Sequence, residues 1–284
     1  MIAEPANNSI DAIRRHWDDA AEGWDAHASI LEPWLAAPTE TMIGMAGVRL
    51  GSRVLDVAAG GGQQALAMAS RVGAEGRITC LDISPVLVDR IRRNAGRLGL
   101  AAIKARVADA QKPLGEKETY DAAVCRLGLM LMAEPSLCIR SVREALKTGG
   151  RFSALVFAGP EENPCIAMLM STALKHSGQP PRDPYAPAGL LSLGRSGHLE
   201  RLFRAEGFTS VSTFRIEAPF RLPTVDGYID FLRAAAAPVR AILAPLAPEA
   251  REEAWQDIRS QLVRFQQGSE WVGPNTLLLT TGQK

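Results

Sequence analysis

Cysteine is scarce in this sequence and none of it is paired by spacing. Cys80, Cys125, Cys138 and Cys165 form no CxxC pair, and no histidine follows at zinc-site spacing. That excludes a disulfide framework and a structural zinc site, and it is the pattern of a cytoplasmic protein. Cys80 and Cys125 sit inside apolar runs, as small buried hydrophobes do. Charge of one sign is also missing: 32 basic against 31 acidic residues leave a net charge of +1. A general nucleic-acid binder needs a large basic surplus, so that class is set aside. No apolar run approaches the roughly 18 residues of a membrane span. The first eight residues have neither the basic nor the apolar region of a secretory signal. Internal repeats, charge blocks and low-complexity segments are absent. So are GxSxG, HExxH and any Cys/His pair, which leaves no metal site and no covalent nucleophile to expect.

What is present is an ordinary globular composition, 46% hydrophobic and 22% charged over 284 residues, enough for one large or two small domains. Residues 9–30 have helical periodicity, with Ser9 as N-cap and Ile10, Ile13, Trp17, Ala20, Ala21 and Trp24 on one face. A second helix is expected over 39–46, after Pro38. Then strands and helices alternate. Strands are predicted at 53–58, 76–82, 103–107, 120–125 and 151–157, with helices at 63–72, from Ser84-Pro85 to about 96–99, and at 135–146. Only a turn or two of helix fits between the third and fourth strands. Apolar strands alternating with helices predict a parallel sheet covered on both faces. Beyond Phe157 the prolines multiply. A helix is expected near 166–175, another at 195–206 ending at Gly207, a strand at 208–217, helical pieces over 224–267 divided by Pro238, Pro245 and Pro248, and a last strand at 275–281.

The strongest signal is the strand that turns through Ala59-Gly60-Gly61-Gly62 into a helix. Glycines let backbone approach a ligand and present helix N–H groups to it. Gly60-x-Gly62-x-x-Ala65 formally matches a dinucleotide fingerprint, with Asp82 about 20 residues on as the ribose acid. A tight turn beside a buried strand would look the same. Asp56 argues against a dinucleotide, because a carboxylate inside the strand repels pyrophosphate and suits a cationic ligand. At least 45 residues also precede the first strand.

Asp56-x-Ala58-x-Gly60-x-Gly62 resembles the acidic-x-Gly-x-Gly-x-Gly motif of the class I S-adenosylmethionine-dependent methyltransferases, with Ala58 in place of the first glycine. The resemblance spans residues 45–158 well and the remainder in outline. It implies a Rossmann-like α/β fold: a seven-stranded, mostly parallel sheet with helices on both faces, an antiparallel last strand and a helical cap. It also implies S-adenosylmethionine as cofactor and S-adenosylhomocysteine as product. Asp82, followed by Ile83, matches the acid on the ribose hydroxyls; Asp109 and Ala110 match the pair beside the adenine ring. Residues 120–130 resemble the fourth strand and the loop under the methionine moiety, which brings in Arg126 and Leu127, and Gly149-Gly-Arg-Phe resembles the turn into strand five. Trp17-Asp, Ala21-x-x-Trp24, Arg126-Leu-Gly-Leu-Met and Gly207-Phe208 bring the chain nearest to the ubiquinone/menaquinone-biosynthesis type of small-molecule methyltransferase.

The expected organisation is N-terminal helices (1–46), a cofactor-binding core (47–158), an insertion (159–194), a helix and sixth strand (195–223), a second helical insertion (224–270) and a seventh strand (271–284). The two insertions are expected to meet as a cap over the cofactor methyl, with part of the N-terminal helix. The expected reaction is O- or C-methylation of a small apolar or aromatic acceptor, facing Leu127, Leu129, Met130 and Met132, or else these are core residues. The fourth strand lacks the Asn/Asp-Pro-Pro-aromatic sequence of base and glutamine methylases. Asn163-Pro-Cys165 lies away from the position of a cytosine C5 nucleophile. Of His16, His27, His176 and His198, His27 is the candidate general base, beside Trp24, which packs either over the methionine end of the cofactor or into the core. An NAD(P)-dependent oxidoreductase and a non-catalytic S-adenosylmethionine-binding protein are the alternatives. The sequence leaves the acceptor and the oligomeric state open.

Overall fold

The computed structural model describes residues 10–284. The Ser9 cap therefore lies outside the described residues, as does the side chain of His16.

The core alternates as its apolar runs require. β1 (Arg53–Val57) leads through the glycine turn into α3 (Gln63–Val72), after α1 (Ile10–Ala26) and α2 (Ala28–Met45). β2 (Arg77–Asp82), α4 (Pro85–Arg97), β3 (Ile103–Val107), β4 (Tyr120–Arg126), α5 (Pro135–Ala145) and β5 (Leu146–Phe157) follow. The Ser84 hydroxyl accepts from the Leu87 amide at 3.1 Å with Pro85 at the first helical position, so α4 starts where its capping residues place it. The later elements are α6 (Pro164–His176), α7 (His198–Ala205), β6 (Thr209–Glu217), β7 (Phe220–Leu222), α8 (Val225–Ala235), α9 (Ala237–Leu243), α10 (Pro248–Leu262), β8 (Gln266–Gln267), β9 (Glu270–Gly273) and β10 (Thr276–Gln283).

Seven strands form one sheet in the order β3-β2-β1-β4-β5-β10-β6. The first five are parallel, and β10 runs antiparallel to both its neighbours, β5 and β6. The seven-stranded sheet and the antiparallel last strand are as expected. β1 is central and wholly buried from Val54 to Val57. Burying a Val or Leu side chain contributes about 1.5–3 kcal/mol, and here both faces collect that term. All four cysteines are free and buried.

Several local expectations change. The single helix over 9–30 is two helices, parted at His27, whose backbone (φ −109°, ψ 21°) is not helical. The second helix does not wait for Pro38; α2 contains Pro33 and Pro38, and its burial of Trp34, Leu35, Met42 and Ile43 outweighs the lost hydrogen bonds. β5 begins at Leu146, so α5 is not stopped by Gly149-Gly150; the register with β4 shifts between Tyr120 and Ala122 to absorb the extra residues. No helix separates β3 from β4 among the described residues. Residues 266–273, expected within or beside helix, form β8 and β9, which pair with β7 in a second, three-stranded antiparallel sheet.

The two insertions do meet: α6 packs on α9 and α10, and α8 on α10. α1 packs against α8, α9 and α4. No helix among the described residues is long and apolar enough to cross a membrane, and no cluster of three or more His, Cys, Asp or Glu side chains among them is placed to hold a metal ion.

Candidate active site

A cavity opens where β1, β2 and β4 end in their loops, and one face of α1 closes it. Its walls include Ile13, Trp17, Ala21 and Trp24 from α1, Leu35 from α2, Ala58 to Gly61 from the glycine turn, Gln63 and Gln64 from α3, Asp82 and Ile83 at the end of β2, Asp109 to Gln111 after β3, and Arg126 to Gly128 at the end of β4. Parallel strands place ligands in this way, at the carboxyl ends of the strands.

The turn is built by left-handed backbone. Gly60 (φ +56°) faces open space where a side chain would stand, so a ligand can lie against its backbone. Gly62 (φ +88°) does not line the cavity: a Cβ there would lie 3.0 Å from Ile91 Cγ1, on α4. Ala58 holds φ +52° and Leu127 φ +58°, both unusual for residues with a side chain. Gly128 packs so tightly on Ala58 that a Cβ would fall 2.4 Å from Ala58 Cβ.

Asp82 is only 7% exposed. Its Oδ2 accepts from the Gly60 amide at 2.9 Å and its Oδ1 from the Ser84 amide at 3.0 Å. Burial pushes its carboxyl up to about 6, against the backbone donors of Ser84, Gly60 and Ile83, which favour the ionised form. Asp109 Oδ1 accepts from the Gln111 amide at 3.0 Å.

Asp56 lies beneath the cavity rather than in its wall. It is fully buried, accepts from the Gln64 side-chain amide, and has Cys80 Sγ 3.9 Å from its Oδ2. Burial raises its carboxyl to about 7, opposed by Gln64 and by the charge of Arg126. Arg126 reaches the cavity and donates from Nη1 to the Thr39 hydroxyl at 2.8 Å. Burial lowers its guanidinium to about 10, which leaves it charged at neutral pH.

Of the site residues expected from sequence, the structure brings Trp24, Ala58, Gly60, Asp82, Ile83, Asp109, Ala110, Arg126 and Leu127 into one wall. It leaves out Asp56, Gly62 and His27. His27 Nδ1 lies 2.8 Å from the Gly23 carbonyl, and its ring packs against Phe231, outside the cavity; the residue parts two helices, which turns it from the opening. His176 and His198 are also outside, His176 on Asp257 at 2.9 Å. Leu127 and Met132 line the cavity, whereas Leu129 and Met130 are core. None of the described residues of the two insertions lines it; the cover is α1. Trp17, Ile13, Gln64, Arg90 and Gln111 line it beyond the expected set. The spacing of Ile13, Trp17, Ala21 and Trp24 on one helical face was the available signal.

Residues 49–183 match the family described as "Methyltransferase domain". Among curated proteins, a ubiquinone/menaquinone biosynthesis C-methyltransferase UbiE of Idiomarina loihiensis is 33% identical over 122 residues, 42% of this chain and 47% of that protein. The UbiE protein of a Marinomonas species is 31% identical over 159 residues, 55% of this chain and 63% of that one. The chain spans about half the length of the curated relatives it matches. Among solved structures, the YcgJ protein from Bacillus subtilis superimposes with a TM-score of 0.58 at 19% identity, covering 87% of this chain and 97% of that one. The [4+2]-cyclase SpnF does so with 0.55 at 18% identity, covering 94% and 95%. A geranyl diphosphate methyltransferase in complex with S-adenosylmethionine gives 0.52 at 14%, covering 87% and 84%. The matched domain and the order of the seven-stranded sheet give residues 49–183 the likeness of a methyltransferase domain on a Rossmann-like fold. The curated relatives given above carry the name of quinone-biosynthesis C-methyltransferases, and the likeness to the cyclase is one of fold alone.

Proposed function

We propose that this chain transfers a methyl group from S-adenosylmethionine to a carbon or oxygen of a small, largely apolar acceptor. The observation that carries the reading is the cavity in which Asp82, anchored by the Gly60 and Ser84 amides, faces the glycine turn, with Arg126 in the same wall. The residues present fit such a cofactor. Asp82 offers a fixed carboxylate for two adjacent hydroxyls. Asp109 and Ala110, in the same wall after β3, are the residues that would meet an adenine edge, and Gly60 leaves space against its backbone.

Bound there, the cofactor supplies a methyl on a positive sulfur, already activated for in-line displacement. The chain's own residues bind, orient and exclude water. α1 covers the cavity with Ile13, Trp17, Ala21 and Trp24, and Leu131 and Met132 add apolar wall. These surfaces favour an acceptor with an aromatic or aliphatic body. Similarity to the UbiE proteins supports carbon methylation of a quinone-like ring. His27, the candidate base, does not reach this cavity, so an acceptor that ionises without it is favoured.

The alternative of a nicotinamide oxidoreductase rests on Gly60-x-Gly62-x-x-Ala65. It is disfavoured by the antiparallel β10 inside the sheet and by Gly62 turning to α4. The test is a thermal shift with S-adenosylhomocysteine against NAD, then labelled-methyl transfer to quinol, phenol and aliphatic acceptors. A shift with NAD and none with S-adenosylhomocysteine overturns the reading. Binding of S-adenosylhomocysteine without transfer to any acceptor would leave a binding protein.

A further inference from the structure

The outer strands of the seven-stranded sheet, β3 and β6, each have one edge without a neighbour. Such an edge is a template for another strand, and proteins usually block it. On β3 the odd residues face outward, because the Ala102 carbonyl and the Ala108 amide face β2. Ile103 turns its amide back to the Leu100 carbonyl at 3.1 Å. Arg92 of α4 covers the outward carbonyl of Ala105 with Nε at 3.2 Å and Nη2 at 3.0 Å.

β6 is blocked at one end only. There the register with β10 shifts between Thr281 and Gln283, which puts an extra residue into β6, and Ser210 holds φ +48°. Beside this bulge Arg204 of α7 donates to the Val211 carbonyl at 2.8 Å. From Ser212 to Glu217 the pairing is regular. Ala218 gives its amide to the Asn275 carbonyl at 2.8 Å, so the even residues face β10 and the odd ones face away. The backbone groups of Thr213, Arg215 and Glu217 therefore stand on the open edge, and no side chain among the described residues caps them. Phe214, between them, is 45% exposed.

We propose that this unblocked stretch is where a second copy of the chain docks, edge to edge and antiparallel, about a two-fold axis at Arg215. That register sets Thr213 opposite Glu217 of the second copy and brings all three free residues into hydrogen-bonded positions. It also stops where the backbone can no longer supply bonds. The next outward pair is Val211 with Pro219, and Val211 has given its carbonyl to Arg204 while Pro219 has no N–H. On the opposite face Phe214 meets Ile216 of the second copy, and the symmetry repeats that apolar contact, at the positions where cross-strand side chains lie closest. The two Arg215 side chains face each other on the axis. Each is held by Glu162 of its own chain and has Glu217 of the other copy on the diagonal, so the charges are matched.

Neither cofactor nor acceptor enters this docking, and the test uses the full chain without ligand. Sedimentation velocity from about 1 to about 500 μM should show monomer passing into dimer, as suits a small interface. Phe214→Lys changes an exposed side chain, so it should leave the melting temperature in place and raise the dimer dissociation constant by about tenfold or more. Hydrogen exchange followed by NMR answers even if that variant does not fold: in the unaltered protein the amides of Thr213, Arg215 and Glu217 should exchange fast when dilute and slow as concentration rises. A monomer at every concentration overturns the proposal. So does a dimer that Phe214→Lys leaves as tight as before, or one in which the three amides stay fast.

Discussion

Gly60 donates its backbone N–H to Asp82 Oδ2 at 2.9 Å, which ties the turn after β1 to the last residue of β2. The carboxylate therefore shapes the turn as well as lining the cavity. Asp82→Ala should weaken binding of S-adenosylhomocysteine by about 1.5–3 kcal/mol, roughly ten- to a hundredfold. It should also lower the melting temperature, because the Gly60 and Ser84 amides lose their acceptor. Calorimetry showing unchanged affinity would refute the ribose assignment.

Both buried carboxylates hold protons more tightly in the fold than in the unfolded chain, Asp82 to about 6 and Asp56 to about 7. A raised folded pKa gives stability that is complete below the unfolded value, near 3.8, and is lost as pH rises through the folded one. The ligand-free protein should therefore lose stability between about pH 4 and pH 7, by about 1.4 kcal/mol for each pH unit that separates a group's folded pKa from its unfolded one. Asp56→Asn should flatten the slope. Ribose hydroxyls favour ionised Asp82, so affinity for S-adenosylhomocysteine should rise with pH through about 6, with proton release on binding. Urea titrations across this range that show level or increasing stability would contradict the assignment.

The glycines of the turn should divide. Gly60→Ala places a methyl in the cavity and strains a left-handed position by about 1–2 kcal/mol, so a folded protein with poor ligand binding is expected. Gly62→Val, at the start of α3, meets Ile91 on α4, and its loss should be one of stability first. Melting curves and binding isotherms of the two variants, taken together, decide; a normally stable Gly62→Val protein would show that the turn packs otherwise.

Ala58 and Gly128 share one space. Gly128→Ala should destabilise by about 1–3 kcal/mol, since its Cβ would fall 2.4 Å from Ala58 Cβ and 3.3 Å from Cys125 Sγ. Ala58→Gly relieves both that contact and the left-handed strain at φ +52°. The double variant should regain most of the loss, a coupling that a double-mutant cycle of denaturant midpoints measures. Additive effects would place the two residues apart.

What the sequence made legible follows local rules. Ser84-Pro85 begins α4 because a cap and a pre-set φ act within four residues, and β1 is apolar because both its faces are covered. The β1–β4 motif residues converged because topology brings strand ends together. What stayed hidden depends on distant partners. Pro33 and Pro38 signal a helix break, but burial of Trp34 and Met42 on α2 outweighs them. β7 and β8, of three and two residues, are too short for alternation to register. Whether Gly60 or Gly62 opens onto the cavity is decided by Ile91, far along the chain, and nothing in the spacing says that Gln64 would take Asp56 from the cavity.

β10 lies between β5 and β6, buried from Leu277 to Thr281, and hydrogen-bonded along both edges. In the order of synthesis it comes more than a hundred residues after β5. Until residues 276–283 leave the ribosome, β5 has an open edge and β6 has no neighbour in the sheet. The segment that carries the glycine turn and Asp82 can be assembled early, from pairs close in sequence, while the sheet as a whole waits for its seventh strand. A nascent chain stalled before Thr276 would hold most of the cavity-forming residues on a five-stranded sheet whose exposed β5 edge invites another strand, so the burden of protecting this protein during synthesis falls on the interval between β5 and β10.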